Sequence, residues 1–413
     1  MFNDAMIKIF NQMDLQTEPS CTAKYGIKFD FCYGLRVYIP ETLKDRKFLL
    51  SVVDLTSGWK ISEAELTGGD YWCTEQHYFI PLGFQIVEIG TNELVIEHHY
   101  MAKDRLVVVD MPVPTLGDSI AWFSYCDAFR KRLQCQLAVC IPDHARSLFE
   151  KEYPEIQFVS REEKKQLYPY AHYRIGIFCD DPESKYAPMD YHLCPLHHYA
   201  AWFFGLNPVL FEEPPRITYD REKRTIPEKY VVIASQASGI CKNWIYPNGW
   251  YMVCKFLLEQ GYRVIDIDAE MCIGKGSHWT YIPRNAEDFT GYKPLTERAE
   301  LIANADFFVG LPSGLSWLAW CCKVPVVMIS GFSNPYDEFF TPYRVQNLHV
   351  CHGCFSDPRY KFDPKENDWC PKHKNTDRQF ECQLGITPRM VIKMIKAVPT
   401  FRGKNTEPKK ENE

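Results

Sequence analysis

Four cysteines near the C-terminus, Cys351, Cys354, Cys370 and Cys382, have the spacing C-x2-C-x15-C-x11-C. A C-x-x-C pair brings two thiolates within reach of one ion, and two more complete a tetrahedron. The stretch between Cys354 and Cys370 is polar and could not order itself around a core, so it needs a staple. His352 and His373 are possible substitute ligands. Zinc and iron both accept tetrahedral sulfur, so spacing alone leaves the ion open. Four protein ligands leave no open position, which points to structure rather than catalysis. No thioredoxin-like strand–helix context surrounds Cys351, so a redox role is the weaker reading.

Three loops carry a different chemistry. Thr115-Leu116-Gly117-Asp118 follows a buried strand and opens a helix. Gly117 allows close backbone approach to a ligand. Thr115 and the helix amides could meet a phosphate or hydroxyl. Asp118 could act as a general base. It could equally cap a helix beginning Ser-Ile-Ala-Trp, and Asp110 at the preceding strand end is the rival carboxylate. A second loop, Ala234 to Trp244, contains Gln236, Ser238, Gly239 and a single Lys242, a set suited to a diphosphate. It lacks the G-x-x-x-x-G-K-[ST] pattern of a P-loop, and a solvated lysine is the alternative. A third, Gly310 to Trp317, places Ser313, Gly314 and Leu315 at another strand-to-helix junction favourable to an anion. Asp266-Ile267-Asp268 ends a strand, and Asp268 is the residue expected to accept ribose hydroxyls.

The elements that must hold these loops alternate. From residue 105, buried strands such as RLVVVDMP and CQLAVCIP alternate with helices at parallel-sheet spacing. A second alternating set starts at KYVVIAS and runs through VPVVMIS. Two such halves leave a cleft between strand C-termini, where ligands bind in open α/β sheets. A lead of about 20 residues, helical or loose, precedes short β runs with turn residues between them, which read as a small β-barrel or sandwich. Gly90 to Glu93 is its expected hairpin turn.

These patterns divide the chain. Residues 1–104 are expected to form the N-terminal β-rich domain, and 105–212 a first Rossmann-like domain carrying Asp118. Residues 213–228 are a linker, and 229–345 a second Rossmann-like domain carrying Lys242 and the candidate diphosphate loops. Residues 346–385 are the four-cysteine metal-binding segment, and 386–413 a C-terminal helix with a disordered tail.

Composition narrows the class. The 413 residues are 46% apolar and carry a net charge of −6, with no long basic stripe, so nucleic acid is not an expected partner. The polar N-terminus lacks a signal-peptide core, and no apolar run approaches the ~20 residues of a membrane span. The expectation is a cytoplasmic protein with no membrane partner, whose 17 cysteines are reduced.

Taken together, TLGD at 115–118, the Ser-rich loop with Lys242, and Ala305 to Gly331 resemble the GT-B lipopolysaccharide heptosyltransferases, which use ADP-heptose. Pro312-Ser313-Gly314 stands where that family usually has Asp-Thr-Gly, and a histidine usually found near Trp317 is missing. The β-rich N-terminus and the cysteine segment resemble a narrower branch, the bacterial autotransporter heptosyltransferases, over about residues 25–397.

That resemblance implies a GT-B fold, with two Rossmann-like domains facing a cleft. It implies transfer of heptose from ADP-heptose (ADP-D-glycero-β-D-manno-heptose) to serines of an autotransporter adhesin passenger domain. It also implies inversion with Asp118 as base, one iron (Fe3+) on the four cysteines, and a homo-oligomer, a dodecamer. Two competing readings are a glycolipid heptosyltransferase or other nucleotide-sugar enzyme, and a non-catalytic adhesin-binding chaperone or scaffold.

Overall fold

The computed structural model describes residues 15–208, 213–275 and 278–404. Most of the lead expected before residue 20, residues 209–212 just before the expected linker, and the tail beyond Lys404 lie outside them.

The N-terminal strands alternate in burial. They are β1 (Cys21–Thr22), β2 (Lys28–Asp30), β3 (Arg36–Tyr38), β4 (Lys47–Asp54), β5 (Lys60–Thr67), β6 (Tyr71–Cys73), β7 (Leu82–Glu88) and β8 (Glu93–His99). Along β4, Phe48, Leu50 and Val52 point inward and their neighbours outward, the period-two pattern of a strand covered on one face. The strands form two antiparallel sheets, ordered β1-β2-β3-β6 and β5-β4-β7-β8. Phe29 of the first meets Phe84 of the second edge-to-face at 5.1 Å. Gly90 and Asn92 both take positive φ between β7 and β8, so the expected hairpin turn is present.

This β unit shares its core with the neighbouring α/β half. Phe31 forms a parallel bridge with Ala171 and donates its N–H to the Tyr170 carbonyl at 2.8 Å. Phe79 packs edge-on against Phe129 at 5.2 Å. The change at residue 105 is therefore one of strand direction and not a gap in the apolar core.

The first α/β half contains β9 (Leu106–Asp110), α1 (Leu116–Leu133), β10 (Gln136–Cys140), α2 (Asp143–Phe149), β11 (Ile156–Phe158), α3 (Arg161–Lys164), β12 (Ala171–Arg174) and α4 (Leu196–Phe203). Its sheet is parallel, ordered β11-β10-β9-β12.

The second half contains β13 (Tyr230–Ile233), α5 (Gly249–Glu259), β14 (Arg263–Asp266), β15 (Cys272–Lys275), β16 (His278–Tyr281), β17 (Glu287–Asp288), α6 (Leu295–Ala303), β18 (Phe308–Gly310), α7 (Gly314–Cys321), β19 (Val326–Ile329) and β20 (Arg344–Val345). Its six parallel strands run β17-β14-β13-β18-β19-β20. All four residues of β13 and of β19 are buried, as continuous apolar strands covered on both faces should be. The β15–β16 hairpin has no counterpart in the sequence reading.

Last come α8 (Glu381–Leu384) and α9 (Pro388–Ile395). Thr387 caps α9 by accepting the Met390 N–H, and Val391 and Ile395 seal the second core. Among the described residues no helix is long and apolar enough to cross a membrane.

Candidate functional site

Helix α1 begins at Leu116, three residues earlier than the Ser-Ile-Ala-Trp start considered from the sequence. Thr115 is therefore the N-cap residue, and Asp118 lies within the first helical turn. Asp118 is not the cap. Its carboxylate instead accepts a hydrogen bond from the Thr115 hydroxyl. The rival Asp110 is spent elsewhere: it is buried in an ion pair with Lys164 Nζ at 2.6 Å.

Asp118 faces the second half of the protein. Burial raises its pKa, while the Thr115 hydroxyl and the Lys242 charge pull it down. Lys242 comes from a loop more than 120 residues away in the chain, so only the fold makes the two neighbours. A carboxylate whose pKa burial raises is a stronger base than a solvated one.

Two glycines explain how the halves come so close. A Cβ on Gly314 would lie 2.7 Å from the Leu116 Cβ and 3.1 Å from the Gly117 nitrogen. A Cβ on Gly117 would lie 3.0 Å from the Trp317 ring. The N-terminal ends of α1 and α7 thus meet backbone to backbone, which brings two partly positive helix ends together. Ser313, the N-cap residue of α7, has a buried hydroxyl with no hydrogen-bond partner among the described residues. Leu315 is half-buried beside it. Behind Trp317 lies His197, its ring centroid 5.8 Å away; burial pushes its pKa down to about 3, so it packs as a neutral ring.

The loop after β13 departs from expectation at two positions. Asp268, the expected acceptor of ribose hydroxyls, is only 4% exposed. Its Oδ2 accepts from the Ser235 N–H at 2.8 Å, the Ser235 hydroxyl at 3.0 Å and the Gln236 N–H at 3.0 Å. That oxygen anchors the loop and is not open to a ligand. Gln236 is similarly engaged: its amide donates to the Glu270 carbonyl at 2.8 Å and accepts from Ile273 N–H and the Thr280 hydroxyl. It positions the β15–β16 hairpin. Ser238 is exposed, and Lys242 is half-buried at the end of a short turn, Ile240–Lys242.

Arg298 was missed by the sequence reading. Its buried guanidinium donates to the carbonyls of Ile267, Asp268, Gly291 and Lys293, fixing the chain beyond β14. A lone arginine in an amphipathic helix gives no sequence signal of that role.

The four-cysteine segment lies beside Lys242, not apart from it as its place in the sequence implies. Phe332, Phe362 and Trp369 form an edge-to-face cluster with centroids 5.2–5.8 Å apart. Lys242 Nζ sits over it, 5.9 Å from the Phe332 ring and 6.0 Å from Phe362. The segment also reaches the first half, where the Phe362 N–H donates to the Tyr191 hydroxyl at 3.1 Å.

Its four thiols face one another. Cys351 and Cys354 share a hydrogen bond. Burial and the neighbouring Cys351 and Cys370 push the Cys354 thiol up to about 12, and burial with the other three raises Cys382 further. Crowded thiols of this kind are the donor set of a soft, tetrahedral ion, which would take them as thiolates. In chemistry they fit. In spacing they stand wider than a bound site, since no three His, Cys, Asp or Glu side chains among the described residues come within ligand reach of one point. His352 Nδ1 pairs with the Val350 carbonyl at 2.8 Å, whereas His373 Nε2 has no partner among the described residues.

The chain is 39% identical to the autotransporter heptosyltransferase Aah of Escherichia coli over 384 residues, 93% of this chain and 96% of that one. It belongs to the autotransporter heptosyltransferases. Residues 206–363 match glycosyltransferase family 9 (heptosyltransferase), so the protein is a glycosyltransferase with a GT-B-type α/β fold.

The crystal structure of TibC from enterotoxigenic E. coli H10407 superposes with a TM-score of 0.87 at 37% identity, covering 93% of this chain and 98% of TibC. TibC is described as iron-containing and dodecameric, and was also solved in complex with ADP-D-β-D-heptose. BimC of Burkholderia thailandensis, 33% identical over 92% of this chain, is described as an inactive autotransporter heptosyltransferase. Membership of the family therefore does not by itself decide turnover.

Proposed function

We propose that this heptosyltransferase takes heptose from ADP-heptose and places it on serine hydroxyls of an autotransporter adhesin passenger domain in the cytoplasm, with inversion at the anomeric carbon. The observation that carries this reading is the convergence of Asp118, Lys242 and the N-terminus of α7 where the two halves meet. The TibC complex with ADP-D-β-D-heptose supports the donor.

In this mechanism the acceptor oxygen attacks C1 of the sugar from the face opposite ADP. Asp118 takes the hydroxyl proton, and the C1–O bond to the diphosphate breaks with its electron pair leaving on ADP. Lys242 and the amides near Ser313 and Gly314 stabilise that charge as it develops. Thr115, Leu116 and Gly117 shape the acceptor side, Ser238 and Leu315 the donor side. The roles proposed for Asp268 and Gln236 are to hold the donor loop, on the hydrogen bonds they make.

Cys351, Cys354, Cys370 and Cys382 would hold one ion, iron by the likeness to TibC and zinc as the alternative. It supplies a structural cross-link. A homo-oligomer, dodecameric as TibC is, is part of the same reading.

Incubating the purified protein with ADP-heptose and a candidate passenger domain, followed by intact-mass measurement, tests it. Serine-linked additions of heptose mass are expected. Heptose appearing only on a glycolipid acceptor overturns the protein-acceptor reading. No turnover of ADP-heptose at all would place the chain with BimC as a non-catalytic binder.

Lys242→Ala is expected to weaken ADP binding and lower kcat/KM together, each by about 10–100-fold. One charge-assisted contact is worth roughly 1.5–3 kcal/mol, and it acts in both ground and transition states. Calorimetry with ADP beside steady-state kinetics reads both.

A further inference from the structure

We propose that Gln383 is a positioning residue for Lys242, through which the four-cysteine segment sets the donor end of the cleft. The inference rests on the reading of Lys242 as a donor-binding group. Lys242 ends a single short turn that makes no side-chain cap of its own. Gln383, the residue after Cys382, donates its amide to the carbonyls of Ile240, at 3.0 Å, and Cys241. From within the segment, three residues before Cys370, the Asn367 carbonyl accepts the Ile240 N–H at 3.1 Å. The segment therefore grips both the donors and the acceptors of the turn that carries Lys242.

Gln383 is 2% exposed, and its own carbonyl oxygen has no partner among the described residues. An unpaired buried acceptor carries a desolvation penalty that an apolar residue would not. Only the two donated bonds offset it, and both go to the Lys242 turn. The lysine side chain then runs over Phe332 and Phe362. Phe332 comes directly after Gly331, where a Cβ would lie 2.4 Å from the Cys382 carbonyl. Backbone, ring bed and cysteine ligand are thus packed as one body.

A free lysine side chain samples many rotamers. Holding its turn and stem before the donor arrives reduces what binding must freeze, and so raises affinity without any new contact to the ligand.

Gln383→Met keeps the volume and removes both donors. ADP affinity, read by calorimetry on the full-length protein, is expected to fall about tenfold with metal content unchanged. The double variant Gln383→Met/Lys242→Ala is expected to bind ADP no more weakly than Lys242→Ala alone, because Gln383 acts through the lysine. A merely structural role would make the two losses add. Parental affinity in Gln383→Met, or additive losses, while Lys242→Ala is weakened overturns this inference and leaves the donor site standing. Parental affinity in Lys242→Ala overturns both. Should Gln383→Met not fold, Phe362→Leu takes its place: a loss of about threefold in ADP affinity supports the coupling, and no loss rejects it.

Discussion

Replacing Asp118 by asparagine is expected to lower heptose transfer by about 10^2–10^4-fold, the usual contribution of a positioned general base. ADP affinity should stay within a few-fold of the parent, since in the proposed mechanism the carboxylate takes the acceptor proton and does not hold the diphosphate. Stability should not suffer. Burial raises the Asp118 pKa, so the folded protein favours its protonated form. The stabilisation from this group is present below the unfolded pKa, and is lost as pH rises from there through the folded one. Asparagine carries no charge, so the melting temperature of the variant near pH 7 should equal or exceed that of the parent.

The same burial predicts the pH profile. The acid limb of kcat/KM should lie above the ordinary aspartate range. It should move further up in Lys242→Ala, because that variant loses the charge that lowers the Asp118 pKa. Transfer at more than a tenth of the parental rate in Asp118→Asn would remove Asp118 from its role. An acid limb unmoved by Lys242→Ala would deny that the two groups share a site.

Cys370→Ser is expected to have the second large effect. Metal per chain should fall at least tenfold, because a hydroxyl is a poor ligand for a soft ion and three thiolates seldom retain one alone. The segment from residue 351 to 382 contains little regular structure of its own, so its order is expected to depend on the aromatic cluster and on the ion the four cysteines would hold. A loss of a few kcal/mol, at about 2–4 °C for each in a domain of this size, gives a drop of roughly 5–15 °C in Tm. ADP affinity should fall too, since Cys370 packs in the same cluster as Ile240 and Cys241 of the Lys242 turn. Cys126→Ser, in the core of α1 and remote from the cluster, is the control that should keep its metal. Retained metal in Cys370→Ser would reject the four-cysteine assignment. Lost metal with parental Tm and ADP affinity would reject the link between segment and donor site.

The sequence by itself determined much of this protein. Continuous apolar runs such as LVVVD and YVVI announced strands buried on both faces, and helices at regular spacing between them required parallel sheets. TLGD, Lys242 and the Ser313-Gly314 junction could be singled out as candidates because a glycine, a hydroxyl or a lysine at a strand-to-helix turn suits an anion, although the same residue types also serve there as helix caps or solvated side chains.

What only the tertiary structure decided were the partners of each polar side chain. Nothing local distinguishes Asp118, which faces Lys242 across the cleft, from Asp110, which Lys164 neutralises, or from Asp268, which three donors fill. A carboxylate's role depends on which charges and donors surround it, and those come from residues far away in the chain. The cysteine segment shows the same limit. It comes after the last Rossmann strands in sequence and so reads as remote from the chemistry, but Gln383 and Asn367 bring it back onto the Lys242 turn. Sequence spacing fixes which thiols could share an ion; only packing places those thiols beside the turn that carries Lys242.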